Sequence, residues 1–108
     1  MSVTLPQPIA SYFAATNARD VPAAIALFSE EAVVADEGKR HQGLDAIRSW
    51  MNETITKYDF KVEPTGFTEA EGKSVVTGVV SGNFPGSPVQ LSHSFTFDGA
   101  KIVRLEIG

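Results

Sequence analysis

The chain has no cysteine among its 108 residues, which excludes disulfides, a thiolate nucleophile and zinc held by thiolates. It also has no apolar run approaching the ~20 residues that a membrane-spanning helix requires. The opening residues MSVTLPQP lack the charged-then-apolar layout of a signal peptide. Positive charge is sparse: Lys plus Arg is 9 against 13 for Asp plus Glu, a net charge of −4. Only Lys39 and Arg40 are adjacent, so a surface that tracks nucleic-acid phosphates is not expected. There is no Gly-rich phosphate loop and no Gly-x-Ser-x-Gly elbow. These absences point to a cytoplasmic protein that engages neither nucleic acid nor membrane, with no cofactor and no metal expected.

What is present has the make-up of one folded domain spanning residues 1–108. Hydrophobic residues make up 43% and charged residues 20%, with no low-complexity stretch, so disorder is not the reading. This length suffices for a single core and not for two.

The first half reads as helical. Thr4 and Gln7 have the spacing of a capping box, and the prolines at 6 and 8 are tolerated in a first turn. Ile9, Tyr12, Phe13 and Thr16 recur at i, i+3, i+4 and i+7, the stripe of a helix with one buried face. Asp20 is placed to cap a second helix with Pro22 in its first turn. The apolar residues Ala24, Ile25, Leu27 and Phe28 continue that helix. Ala32–Glu37 reads as a first strand, with Gly38-Lys39 reversing it into Arg40-His41-Gln42. Gly43 admits a third helix, with Asp45 near its positive end. Leu44, Ile47, Met51, Ile55 and Tyr58 carry its stripe and Trp50 lies at the edge.

After Asp59 the periodicity becomes alternating. Phe60–Phe67 is a strand interrupted by Pro64, hence an edge or bulged strand. Glu71-Gly72-Lys73 turns it into the valine-rich Ser74–Phe84, and Pro85-Gly86-Ser87-Pro88 is a loop. Val89–Phe97 follows, and Asp98-Gly99 is a strong hairpin signal leading into Lys101–Ile107. The order α-α-β-β-α-β-β-β-β predicts an α+β fold: a cone whose curved antiparallel sheet carries the three helices on its concave face.

Three residues stand out against this pattern. His93 shares the apolar strand face of Val89, Leu91, Phe95 and Phe97, while Gln90, Ser92, Ser94 and Thr96 take the other face. Tyr12 lies in the buried stripe of the first helix, and Asp36 shares a strand face with Val34. Each has a structural role open to it: a satisfied core histidine, a packed tyrosine, a turn acid facing water. Should they converge, the chemistry is definite. A carboxylate in a water-poor pocket gains a raised pKa and serves as a general base. A tyrosine hydroxyl and an imidazole N–H can stabilise an oxyanion forming at a carbonyl. Phe13, Phe28, Trp50, Phe95 and Phe97 are the candidate apolar lining for a small hydrophobic molecule. His41, His93, Asp36 and Glu37 form a rival metal constellation, but without helix-type ligand spacing.

The runs Tyr12-Phe13-Ala14-Ala15-Thr16-Asn17-Ala18-Arg19-Asp20 and Ala26-Leu27-Phe28-Ser29-Glu30-Glu31-Ala32-Val33-Val34-Ala35-Asp36, with Gly43-Leu44-Asp45-Ala46-Ile47-Arg48, resemble the nuclear transport factor 2-like superfamily. That superfamily includes ketosteroid isomerase and the SnoaL-like polyketide cyclases. The resemblance implies a cystatin-like cone that forms a homodimer through the outer sheet face, here Gln90, Ser92, Ser94 and Thr96. Within the superfamily the ketosteroid isomerases look closest. Their catalytic tyrosine falls on Tyr12, their base aspartate on Asp36, and their second, protonated aspartate on His93. His93 thus replaces an acid, and Met51 stands where some isomerases carry a supporting tyrosine. The implied activity is proton transfer next to a carbonyl of a hydrophobic substrate. A SnoaL-like cyclase and a non-catalytic ligand-binding or dimerisation domain are the alternatives.

Overall fold

A computed structural model describes residues 4–108. Helix α1 (Gln7–Asn17) begins after Pro6 with no side-chain cap, so the capping box of Thr4 and Gln7 does not form. Leu5 precedes a proline and is disfavoured in helical geometry, which keeps the helix from starting at Thr4. Gln7 Nε2 instead donates to Ser11 Oγ at 3.1 Å. Asp20 does cap α2 (Val21–Ile25), its carboxylate accepting from the Ala23 N–H at 3.2 Å.

That second helix is shorter than its apolar run suggests. Phe28 already belongs to β1 (Phe28–Asp36), which pairs in parallel with β6 (Lys101–Ile107). The Ile102 N–H donates to the Leu27 carbonyl at 2.8 Å, and Lys101 Nζ to the Ala26 carbonyl at 2.6 Å. Sheet pairing captures residues whose local pattern is helical, a tertiary override of propensity. Glu37 and Gly38, with φ of 54° and 73°, form the type I′ reversal into β2 (Lys39–Gln42). Gly43 then caps α3 (Leu44–Tyr58).

Three long strands precede β6: β3 (Lys61–Ala70), β4 (Lys73–Ser81) and β5 (Val89–Asp98). The sheet has the order β2-β1-β6-β5-β4-β3. It is curved and antiparallel throughout except at β1·β6. Pro64 sits on the edge strand β3, where the register shifts between Pro64 and Gly66, because proline has no N–H for an interior ladder.

The helices bury their stripes on one sheet face. Ile9, Ile47 and Phe95 are fully buried, and Phe95 meets Tyr12 and Phe13 edge-on with centroids 5.4 and 5.9 Å apart. Such ring pairs add roughly 0.5–1.5 kcal/mol each beyond area burial. Asn17 ties α1 to the sheet edge: its side chain accepts from Val62 N–H and donates to Val62 C=O, both at 2.9 Å. No helix of the described residues is long and apolar enough to cross a membrane.

Candidate functional site

Asp36 ends β1, opposite Lys39 across the reversal, and the turn directs its half-buried carboxylate toward α3. There Trp50 Nε1–H donates to Asp36 Oδ2 at 3.0 Å. On its other side the indole lies tilted against the His41 ring, centroids 6.0 Å apart. The carboxylate is held at one oxygen. Burial raises its pKa, the Trp50 hydrogen bond opposes that rise, and the charge of neighbouring Glu37 adds to it.

Tyr12 reaches the same region from α1 and is 4% exposed. Burial, then the negative charge of Asp36, pushes its phenol well above the usual tyrosine range, and no hydrogen bond contributes. It is a phenol at every working pH, able to donate and unable to act as a base.

His93 stands on β5 opposite Val76 of β4, with its ring edge-on to Phe13 at 5.3 Å. Its Nδ1 is sealed off without a hydrogen-bond partner. Burial lowers its pKa to about 4, although the main-chain groups of Val76 and Leu91 lie near enough to favour the charged form. None of them completes a hydrogen bond to Nδ1. His93 is therefore a neutral imidazole at physiological pH, and its effect on a ligand is that of a hydrogen-bonding group without charge.

These three side chains line one cavity of about 250 Å³. Of the aromatic residues read as lining, Phe13 and Trp50 face it. Phe28, Phe95 and Phe97 do not. Phe28 packs edge-on to Tyr12 at 6.0 Å, and Phe97 stacks on Phe95 at 6.2 Å, so they form the support behind the wall. The wall itself includes Thr54, Tyr58, Phe60 and Phe84, which the sequence did not single out. Trp50, Thr54 and Tyr58 follow at i, i+4 and i+8 along α3, a spacing that marks one helix face. Phe84, read from the sequence as the end of the strand Ser74–Phe84, lies in the loop after β4, which stops at Ser81. His41 and His93 stand apart, the first on Trp50 and the second on Phe13. Among the described residues no group of three His, Asp or Glu is placed to hold a metal ion.

A family model described as a SnoaL-like domain matches residues 9–105. The chain belongs to the SnoaL-like domain family. This SnoaL-like domain is 42% identical to a candidate polyketide cyclase from Sinorhizobium meliloti, with a TM-score of 0.93 over 96% of this chain and 95% of the other. At 20% identity it shares the fold of a protein from Catenulispora acidiphila that has a ketosteroid isomerase-like fold and was crystallised with trimethylamine. That TM-score is 0.84 over 97% of this chain and 86% of the other. A cystatin-fold protein from Novosphingobium aromaticivorans matches at 17% identity and a TM-score of 0.78, over 94% and 95% of the two chains. No curated protein matches the chain.

Proposed function

We propose that this SnoaL-like domain is an enzyme that moves a proton next to the carbonyl of a small hydrophobic ketone. The observation that carries the reading is Asp36: a half-buried carboxylate of raised pKa, held at one oxygen by Trp50, on the cavity that Tyr12 and His93 also line. In this reading the ionised Asp36 takes a proton from the carbon beside the carbonyl. The electron pair of that C–H bond forms a C=C bond as the π pair of the carbonyl moves onto its oxygen. Tyr12 donates a hydrogen bond to the resulting enolate oxygen, and the neutral His93 offers a second polar contact. Asp36 then returns its proton to a different carbon, so the substrate is isomerised and the enzyme regenerated.

A second reading uses the same first step. The enolate carbon attacks a second carbonyl of the same molecule, closing a ring, and the new alkoxide is protonated. The Sinorhizobium relative, a candidate polyketide cyclase, favours this outcome. A third reading, a pocket that binds and does not react, predicts that Asp36 is dispensable. The outer sheet face, with Gln90, Ser92, Ser94 and Thr96 short and uncharged, is proposed to pair two copies of the chain.

The test is conversion of cyclohex-3-enone to its conjugated isomer, followed by enone absorbance for wild type and Asp36→Asn. Turnover that collapses in Asp36→Asn supports proton transfer by this carboxylate. No turnover above buffer, with both proteins folded, discards the isomerase reading.

A further inference from the structure

The dimensions of the cavity and its change of polarity limit what can sit beside Asp36. Its volume of about 250 Å³ falls below the roughly 300–1,000 Å³ of pockets that hold drug-sized ligands. A dry cavity of about 150 Å³ takes one benzene ring, or ~25 Å³ per ring atom. On that scale the chamber holds about ten non-hydrogen atoms, the size of two fused rings.

Two stretches of its wall are fixed. The floor is the aromatic stack behind Tyr12 and Phe13, where Phe95 is fully buried. Along another stretch Tyr58, which also borders the neighbouring compartment, meets Phe84 edge-on with centroids 5.8 Å apart. The loop bearing Phe84 is tied to the end of α3 by the Asn83 N–H to Tyr58 carbonyl bond at 2.6 Å. At Gly82 a Cβ would stand 2.6 Å from that same carbonyl, so the backbone already approaches as closely as glycine permits.

Past Asp36 the space becomes polar. A second compartment of about 220 Å³ lies between the β1–β2 hairpin and α3, bordered by Lys39, His41, Glu53 and Lys57. It shares Asp36, Glu37, Trp50, Thr54 and Tyr58 with the chamber. A four-ring hydrocarbon skeleton would need both compartments and would strip water from charges without replacing its hydrogen bonds.

We infer that the substrate is a one- or two-ring ketone whose apolar ring fills the chamber and whose polar substituents pass Asp36 into the second compartment. The assignment of the reacting carbonyl rests on the proton-transfer reading, while the size and polarity of the ligand rest on the cavity alone. Four-ring steroids are disfavoured against two-ring ketones on this account, although the fold is shared with ketosteroid isomerase-like proteins.

The test is a binding titration that needs no turnover. Trp50 is the single tryptophan, so its indole N–H gives one isolated cross-peak in a 15N–1H NMR spectrum, at the junction of the two compartments. The probes are 2-naphthol, with two rings, and equilenin, with four. Wild type is expected to show a saturable shift with 2-naphthol and at least tenfold weaker binding of equilenin. Phe84→Ala, which removes the ring that meets Tyr58 in the chamber wall, is expected to narrow that gap. Equilenin binding as tightly as 2-naphthol to wild type overturns the inference, as does failure of both probes to move the peak. If 2-naphthol binds selectively but cyclohex-3-enone is not isomerised, the proton-transfer reading fails and the size assignment stands.

Discussion

Replacing His93 with phenylalanine separates the demands of the cavity from those of the fold. The imidazole is 3% exposed with Nδ1 unpartnered, and a buried polar group left unsatisfied costs roughly 1–3 kcal/mol. Its pKa falls from 6.5 to about 4 on folding. Between those values the unfolded chain binds a proton that the folded chain does not, so stability falls as pH drops from about 6.5 to about 4. At 1.36 kcal/mol per unit, the loss amounts to about 3 kcal/mol. Asp36 runs the other way, since its raised pKa favours the folded state as pH falls, but it is present in both proteins and cancels in their difference. Urea unfolding of wild type and His93→Phe at pH 7.0, 5.5 and 4.5 therefore isolates the histidine. Extra ring volume can cost about 1–3 kcal/mol, yet that cost does not vary with pH. The expected result is a difference that moves toward the variant by about 2.4 kcal/mol between pH 7.0 and 4.5. A difference independent of pH refutes the claim that His93 is held neutral.

Other perturbations test the supports of the site. Trp50→Phe removes the donor to Asp36 Oδ2, a hydrogen bond that lowers the carboxyl pKa. The Asp36 resonance in a 13C-detected titration is therefore expected to move to higher pH, and an unchanged midpoint contradicts the assignment. Asn17→Ala breaks both bonds to Val62 and is expected to cost about 1–3 kcal/mol in urea unfolding. Gly82→Ala drives a methyl against the Tyr58 carbonyl and the Phe60 backbone; a lowered midpoint in thermal unfolding and weaker 2-naphthol binding are expected together. Light scattering at micromolar concentration is expected to give the mass of two chains, and a monomer contradicts the proposed sheet-to-sheet contact.

Much of the fold is legible because hydrophobic period reports secondary structure directly. The alternation of Val89–Phe97 maps onto β5 with His93 and Phe95 buried, and Pro64 correctly marks an edge strand. Residues 26–28 are not legible, because their apolar pattern suits a helix while the partner that makes Phe28 a strand residue, Ile102, lies far along the chain. The same limit applies to the cavity. Tyr12, Asp36 and His93 attract notice as polar groups in apolar settings, but their meeting depends on a sheet order that puts only β6 between β1 and β5, with α1 packed over that face. Hydrophobicity marks burial without saying which buried faces meet a void. Phe28 and Phe95 are more buried than Tyr58 or Phe84, and it is the less buried pair that lines the cavity.

The most direct test of the central claim sets two curves side by side. One is the pH dependence of α-proton exchange of cyclohex-3-enone in deuterated buffer, and the other is the ionisation of the Asp36 carboxyl followed by 13C NMR. If Asp36 is the base, exchange rises with pH along the carboxyl titration, with a midpoint above that of an ordinary aspartate, and it vanishes in Asp36→Asn. Exchange that ignores the titration, or survives in Asp36→Asn, contradicts the account.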